Sequence, residues 1–429
     1  MSQKLDILII GAGLSGLSAA IQCALSGHPV TVLEAAKELA DIGAGLQLTP
    51  NSTRLLQRWN VFDTIRDRVC EPTTMTIINY RGKVLAREEN FAANIRRKYG
   101  APFADCHRVD LQQALAKRAK ELGVTLVLNA RVTNIDLGSS SGDRARVKTS
   151  EGQKFEADLI VGADGLWSSC RSTMLGRNDP PLPTGDLAYR IVLRLDQIGD
   201  QKLRDMVQNP GCRFWPGPDG HVVAFSMRGG NMYNVVLVTP DDLEEGVARV
   251  EANLDEMRKL FVGWDPVLTQ LLEYVDKVDK WKLMHREEMD SWINPQNNLV
   301  LIGDSCHPML PYLAQGANSS IEDGAVLGLL LAPEHFTDKS QLPETLQLFQ
   351  SLRKARGEGI AKETFKQRRD FHLRDGPDQE KRDELMLSQL GKETKAPFPS
   401  RWTCPEVQPW LYGYDAMKEV EAATQKSKL

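Results

Sequence analysis

Three stretches of this 429-residue chain set glycines and acids at the ends of apolar runs, a combination suited to holding phosphates and hydroxyls. In the first, residues 5–10 break into Gly11-Ala12-Gly13-Leu14-Ser15-Gly16. Gly11 permits a tight turn, Gly13 lets the backbone approach a pyrophosphate, and Gly16 lets the following helix sit close to the strand. The helix start at Leu14 and Ser15 offers amide N–H groups and a partial positive charge to that anion. A second apolar run closes on Glu34, followed by Ala35, and this carboxylate is placed to accept hydrogen bonds from ribose hydroxyls. The second stretch, Gly162-Ala163-Asp164-Gly165, ends another buried run; Asp164 can hold a hydroxyl or position the loop, and Arg171 can face a phosphate or pair locally. The third, Gly303-Asp304, leads through a proline-bearing loop to a helix entered at Gly316-Ala317-Asn318, whose unpaired first-turn N–H groups suit an electron-rich carbonyl edge. Arg108, at the start of a predicted helix, can reach a phosphate, and the loop 42–48, with Ala44 and Gly45, can lie along a flat cofactor. The glycine pattern alone does not separate FAD from NAD.

These residues need strands that end together. Strand, turn, helix, strand and terminal acid over 5–34 read as a βαβ unit, with further buried strands predicted at 157–162 and 298–302. Pro50 starts a helix over 51–59, residues 75–86 read as a hairpin turning at Tyr80-Arg81-Gly82-Lys83, and a helix runs to Leu122. Past the breaker cluster 178–183, strand-like runs at 188–195, 212–215, 221–227 and 233–239 predict an antiparallel sheet, followed by helices over 241–264 and 267–275. After Pro343 a long charged helix runs to about Arg374. The expected organisation is a nucleotide-binding domain in three parts (1–74, 102–179 and 298–375), an excursion at 75–101, an inserted substrate domain at 180–297, and a peripheral tail at 376–429.

Composition narrows the function classes. With 41% hydrophobic and 26% charged residues and a formal net charge of −4, the chain has no basic stripe, so nucleic acid is not an expected partner. The longest apolar stretch, 325–332, falls far short of the ~18 residues a membrane span needs. Seven cysteines lie scattered without a C-x-x-C or a cysteine–histidine cluster, so neither disulfides nor a metal is expected. The first strand begins too early to leave space for a leader peptide. Ser427-Lys428-Leu429 reads as a peroxisomal address, which predicts an import receptor as partner and the peroxisome as location, with the cytoplasm as the alternative.

With the three ordered motifs in hand, the sequence resembles the group A flavoprotein monooxygenases, the single-component FAD-dependent aromatic hydroxylases, and within them the salicylate-hydroxylase-like branch of fungal type. The resemblance runs from Leu5 to about Arg374, and Trp410-Leu411-Tyr412-Gly413-Tyr414-Asp415 is similar to that branch as well. It implies an α/β fold, a Rossmann-like FAD-binding domain with an inserted antiparallel-sheet substrate domain. FAD is then the bound cofactor and NADPH or NADH the co-substrate. The resemblance implies that Gly11, Gly13 and Gly16, with Leu14 and Ser15, cradle the FAD pyrophosphate, while Glu34, with Ala35, holds the adenosine ribose. Arg108 would lie beside the pyrophosphate, Asp164 would serve FAD and the passing nicotinamide nucleotide, and Asp304 would bind the ribityl-phosphate region. Gly316, Ala317 and Asn318 would present amides to the flavin pyrimidine, with Ala44 and Gly45 skirting the ring.

The implied reaction uses NAD(P)H and O2 to place one oxygen atom on a small phenolic or aromatic-acid substrate, with loss of carboxylate when attack is at the ipso carbon. Arg190 matches an arginine that relatives place facing the substrate; it is the expected catalytic and substrate-binding residue, with a salt bridge in the sheet as its alternative. Phe225 stands where some relatives carry a tyrosine, so a phenol-based proton relay is not implied there. Phe225, Pro311 and Tyr312 are the other expected substrate contacts. Tyr189, His221 and Tyr233 read as core or rim residues and His307 as a loop anchor, so no catalytic base is identified. Two other readings remain: an epoxidase or tailoring oxygenase acting on an indole or prenylated metabolite, and a flavin-fold binding protein without catalysis.

Overall fold

Four consecutive buried apolar residues, Ile7–Ile10, form the middle strand of a five-stranded parallel sheet in a computed structural model that describes residues 3–39 and 44–426. The strand order is Leu299–Leu301, Leu159–Gly162, Ile7–Ile10, Val30–Leu33, Thr125–Val127. Strands apolar on both faces require cover on both sides. The helix Leu14–Leu25 packs against the helix Gln315–Leu330. Their approach is set by small residues: a Cβ at Gly324 would lie 2.4 Å from the Ala19 nitrogen, and one at Gly328 2.7 Å from the Gln22 Cβ. A three-stranded antiparallel sheet, Val132–Asp136, Ala145–Thr149 and Lys154–Ala157, packs beside the opening strand. Because three neighbouring strands run parallel, the turns after Ile10, Gly162 and Leu301 all leave the same edge.

A second, eight-stranded sheet runs in the order Arg249–Glu251, Asp279–His285, Leu182–Arg194, Met232–Pro240, Gly220–Met227, Gly211–Gly217, Thr74–Ile78, Val84–Glu89. Every pairing is antiparallel except that of Gly211–Gly217 with Thr74–Ile78. The predicted hairpin near residue 80 therefore closes one end of this sheet. Leu187, Tyr189, Val222, Ala224, Val235 and Leu237 alternate onto one face and bury against the helices Gln201–Gln208, Leu254–Leu260 and Pro266–Glu273.

The expected helix over 241–264 shrinks to Leu254–Leu260. Gly246 turns with φ +81°, Arg249–Glu251 is drawn off as an edge strand by Asp279–His285, and Asn253 caps what remains by accepting from the Asp255 and Glu256 amides at 2.8 and 3.1 Å. The long helix runs over Leu342–Phe371. The segment beyond it, expected to be peripheral, instead buries Phe398, Trp402, Leu411 and Tyr412 with Phe91, Phe103 and Phe214, and the Trp402 indole donates to the Tyr312 carbonyl at 3.0 Å. Ile42, Gly43 and the Ser427-Lys428-Leu429 address lie outside the described residues. Among the described residues no helix is long and apolar enough to cross a membrane.

Candidate functional site

At the shared strand edge the first two glycine turns touch. Gly11 has φ +106°, and a Cβ there would lie 2.4 Å from the Ala163 carbonyl oxygen; a Cβ at Gly16 would lie 2.0 Å from the Gly11 carbonyl oxygen. Around the Cβ position of Gly13, by contrast, there is nothing within 4 Å, so the space before the helix start is open. Gly13 caps the helix without a side chain, so the first-turn amides of Leu14 and Ser15 have no helical acceptor. Glu34 is pinned across the turn, accepting from the Ala12 amide at 2.8 Å through one oxygen and from the Ala36 amide at 2.8 Å through the other. Gly11, Gly13 and Glu34 line a cavity of about 390 Å³ together with Ala35, Asp164 and Trp167.

Asp164 positions its loop. Its carboxylate accepts from the Ser169 and Cys170 amides at 2.7 and 3.0 Å and from the Ser168 hydroxyl at 2.5 Å, ahead of the helix Ser169–Leu175. Arg171 is buried and pairs locally, with Asp179 at 2.6 Å and the Glu287 carbonyl at 2.7 Å, and it does not line that cavity.

Further along the edge, the Arg108 amide donates to the Ala44 carbonyl at 3.0 Å. Arg108 and Asp304 both line a second cavity, of about 240 Å³. Crowding by protein raises the pKa of the Asp304 carboxyl, an effect that His307 and Arg108 partly offset. Across from it the helix Gln315–Leu330 begins at Ala314, with φ +50° and no side-chain cap, so the amides of Gly316 and Ala317 are left over at its first turn, whereas that of Asn318 closes the first helical bond to Ala314. The Asn318 side chain is occupied elsewhere, accepting from the Thr49 amide and donating to the Gln47 carbonyl, both at 2.9 Å. Gly45 lies directly on the large sheet: its amide donates to the Asn234 side-chain oxygen at 2.9 Å, and a Cβ would come within 2.6 Å of Asn234 and 2.7 Å of Phe225.

The floor of this cavity is a grid of cross-strand partners. His221, Val223 and Phe225 point to one face of Gly220–Met227, and opposite them stand Val238, Val236 and Asn234. Leu310 and Pro311 contribute another wall. His221 is the ionisable group of the floor. Burial, with His372 beside it, drives its pKa well below the ordinary histidine value despite Asp186, so the ring is neutral. Its Nδ1 lies 2.7 Å from His372 Nε2. The Asn234 amide nitrogen is buried with no acceptor among the described residues.

Of the expected substrate contacts, Phe225 and Pro311 line the cavity, whereas Arg190 and Tyr312 do not. Arg190 pairs in register with Val236 one strand away and stacks over the Trp281 ring at 5.0 Å. Tyr312 stands behind the wall, its hydroxyl donating to Asp186 and its ring 5.0 Å from that of His221. His307 acts as an anchor, with Nε2 2.5 Å from Asp323. The floor histidine, read as core or rim, carried a usable signal: alternation puts 221, 223 and 225 on one face of a strand.

The chain matches the FAD binding domain family over residues 4–364. It is 48% identical to the FAD-dependent monooxygenase OpS4 of Beauveria bassiana (strain ARSEF 2860), over 100% of this chain and 99% of that protein. To the 3-amino-4-hydroxybenzoate 2-monooxygenase PtnB3 of Streptomyces platensis it is 31% identical over 96% of each. The fold is similar to the crystal structure of CtdE in complex with FAD and substrate 4, with a TM-score of 0.81 at 20% identity, covering 99% of this chain and 100% of that one. The chain belongs to the FAD-binding flavoprotein monooxygenases of aromatic-hydroxylase type, enzymes that depend on FAD and NAD(P)H.

Proposed function

We propose that the enzyme hydroxylates a single phenolic or aromatic-acid ring of salicylate type, with loss of carboxylate when attack falls on the ipso carbon. The observation that carries this reading is the floor of the cavity on the large sheet, where Val223, Phe225, Val236 and Val238 are apolar and His221 adds a neutral imidazole, beside the end lined by Gly45, Arg108, Asp304 and Gly316 that FAD would take. An apolar floor with a few placed polar groups suits a substituted aromatic ring. The hydroxybenzoate named for the Streptomyces platensis relative is a ring of that kind.

The strand edge fits FAD. The open space before Gly13 and the amides of Leu14, Ser15 and Gly16 suit the pyrophosphate, Glu34 beside Ala35 suits the adenosine ribose, and Arg108 offsets phosphate charge. Asp304 would accept from ribityl hydroxyls, and the free first-turn amides of Gly316 and Ala317, with Asn318 behind them, would serve the flavin pyrimidine and stabilise negative charge there. Gly45, with Ala44 preceding it, brings the loop close to Asn234 and Phe225, where it would border the ring. Asp164 holds its loop at the entrance for the nicotinamide nucleotide. When bound, FAD would supply the redox chemistry of the hydroxylation, with NAD(P)H as reductant and O2 as oxygen source. Around it the chain's own groups orient the ring between Phe225 and Pro311, exclude water with Val223, Val236 and Val238, and accept the phenolic proton at His221 Nε2.

A panel of hydroxybenzoates, followed by NAD(P)H oxidation and by product mass, tests the reading. Faster oxidation coupled to a product with one added oxygen is expected. Acceleration only by a bulky indole or prenylated compound, or only release of hydrogen peroxide, overturns it.

A further inference from the structure

We propose that His372 is a positioning residue that fixes the tautomer of His221 and, with Asp186, carries the phenolic proton out of the cavity. The inference rests on the reading above, in which a phenol sits over His221. His221 lies on the cavity floor and His372 just past the helix Leu342–Phe371, 151 residues away in the chain, yet their ring nitrogens Nδ1 and Nε2 are 2.7 Å apart. One must donate and the other accept. The choice is made on the far side of His372, where Nδ1 lies 3.9 Å from an Asp186 carboxylate oxygen. That carboxylate is held in place by Arg368, at 2.5 and 2.6 Å, and by the Tyr312 hydroxyl.

An anion facing Nδ1 favours a proton there, which leaves His372 Nε2 as the acceptor. His221 Nδ1 then carries its hydrogen toward His372. His221 Nε2, which has no partner among the described residues, keeps its lone pair for the cavity. The carboxylate thus selects, two rings away, the tautomer able to receive a proton. The charged and titratable groups facing the pair are Asp186 on the strand Leu182–Arg194, Tyr312 on the loop before Gln315–Leu330, and Arg368 on the long helix. Farther out, Asp219 pairs with Arg374 at 2.8 Å.

The transfer balances without charging either ring. The phenol O–H breaks as an N–H forms on His221 Nε2; the His221 Nδ1–H breaks as one forms on His372 Nε2; and the His372 Nδ1–H passes to water beside Asp186. Both rings end neutral in the opposite tautomer, with phenolate left in the cavity, and reprotonation of the product phenol runs the sequence backwards. Storage of the proton is disfavoured, because burial lowers the pKa of His221, and burial together with Arg368 lowers that of His372 to about 3. His372 retains 9% side-chain exposure and Arg368 35%, so the outer end reaches solvent.

The test uses the FAD-loaded enzyme and 4-nitrophenol, whose phenol and phenolate forms absorb at different wavelengths. Difference spectra against pH give the ionisation of the bound probe, and stopped-flow mixing with a pH indicator gives the rate of proton release. His372→Phe keeps a ring against His221 but accepts no hydrogen bond. It is expected to raise the apparent pKa of the bound probe by about one unit, a tenfold change in the phenol–phenolate ratio, and to slow release about a hundredfold. His372→Gln can accept from His221 Nδ1 through its amide oxygen but cannot pass a proton on, so ionisation stays at the wild-type value while release slows. Flavin content and the thermal melt establish that each variant is folded. Wild-type ionisation and release in His372→Phe overturn this inference alone, provided His221→Phe alters them. No binding of the probe by wild type, or no effect of His221→Phe, overturns the parent reading.

Discussion

Gly13 and Gly16 stand one helical turn apart and respond in opposite ways to an added methyl group. In Gly16→Ala the new Cβ meets the Gly11 carbonyl at 2.0 Å, a backbone atom that cannot swing aside, so loss of soluble folded protein is expected in expression trials. Gly13→Ala finds open space, so the thermal melt of the apoprotein should change by less than about 1 kcal/mol, while FAD affinity, read by flavin fluorescence, falls about tenfold or more. Arg190→Gln separates the sequence expectation from the geometry. Because Arg190 lies over Trp281 outside the cavity, KM for the substrate should change less than about threefold; a direct ion pair to a substrate carboxylate would cost about 2 kcal/mol, or roughly thirtyfold. The turn residues were legible because a glycine spacing encodes local backbone geometry. Arg190 and His221 were not distinguishable, because alternation gives the face of a strand but not which column of a sheet lies under the cavity. That depends on strand order and register across Leu182–Arg194, Met232–Pro240 and Gly220–Met227.

The helix Gln315–Leu330 holds its first turn against the cavity through a buried charge network. Glu322 pairs with Arg353 at 2.7 Å and Arg356 at 2.8 Å, Asp323 pairs with Arg353 at 2.7 Å and with His307, and the Tyr414 ring lies 4.1 Å from the Arg356 guanidinium carbon. Arg353→Met strips a partner from two buried carboxylates and should cost about 3–5 kcal/mol in chemical denaturation, with weaker FAD retention as the helix start shifts. The same network gives a pH signature. Burial alone would raise the Asp323 pKa, but the charges of His307 and Arg353 outweigh it and bring it from 3.8 to about 2. Its stabilisation is therefore complete above the ordinary carboxyl value and is lost as pH falls through about 2. His307 moves the other way: burial opposes its charge, Asp323 more than compensates, and its pKa lies above 6.5, so its stabilisation is complete below 6.5 and is lost as pH rises through the folded value. His307→Asn should flatten the alkaline limb of melting temperature against pH. Buried parallel strands ending in glycine were readable from pattern alone. The acidic run 241–264 was not, because its helical composition is overruled by Gly246 and by edge pairing with Asp279–His285.

At the scale of the molecule, the segment after the long helix is part of the enzyme's interior. Truncation after Gly376 would expose the aromatic cluster that Phe398, Trp402 and Tyr412 now cover, at about 1.5–3 kcal/mol for each large apolar side chain. The expected outcome is aggregated or heat-labile protein, read by soluble yield and size-exclusion chromatography. The two-sheet plan was legible because its strands cluster in sequence. The tail was not, since a few anchors in a charged, proline-bearing stretch leave no period to follow.

The strand Leu299–Leu301 borders Leu159–Gly162, and the helix that follows covers Leu14–Leu25. A nascent polypeptide must therefore leave the ribosome through residue 330 of 429 before the glycine turn of its first sixteen residues gains the last of its neighbours.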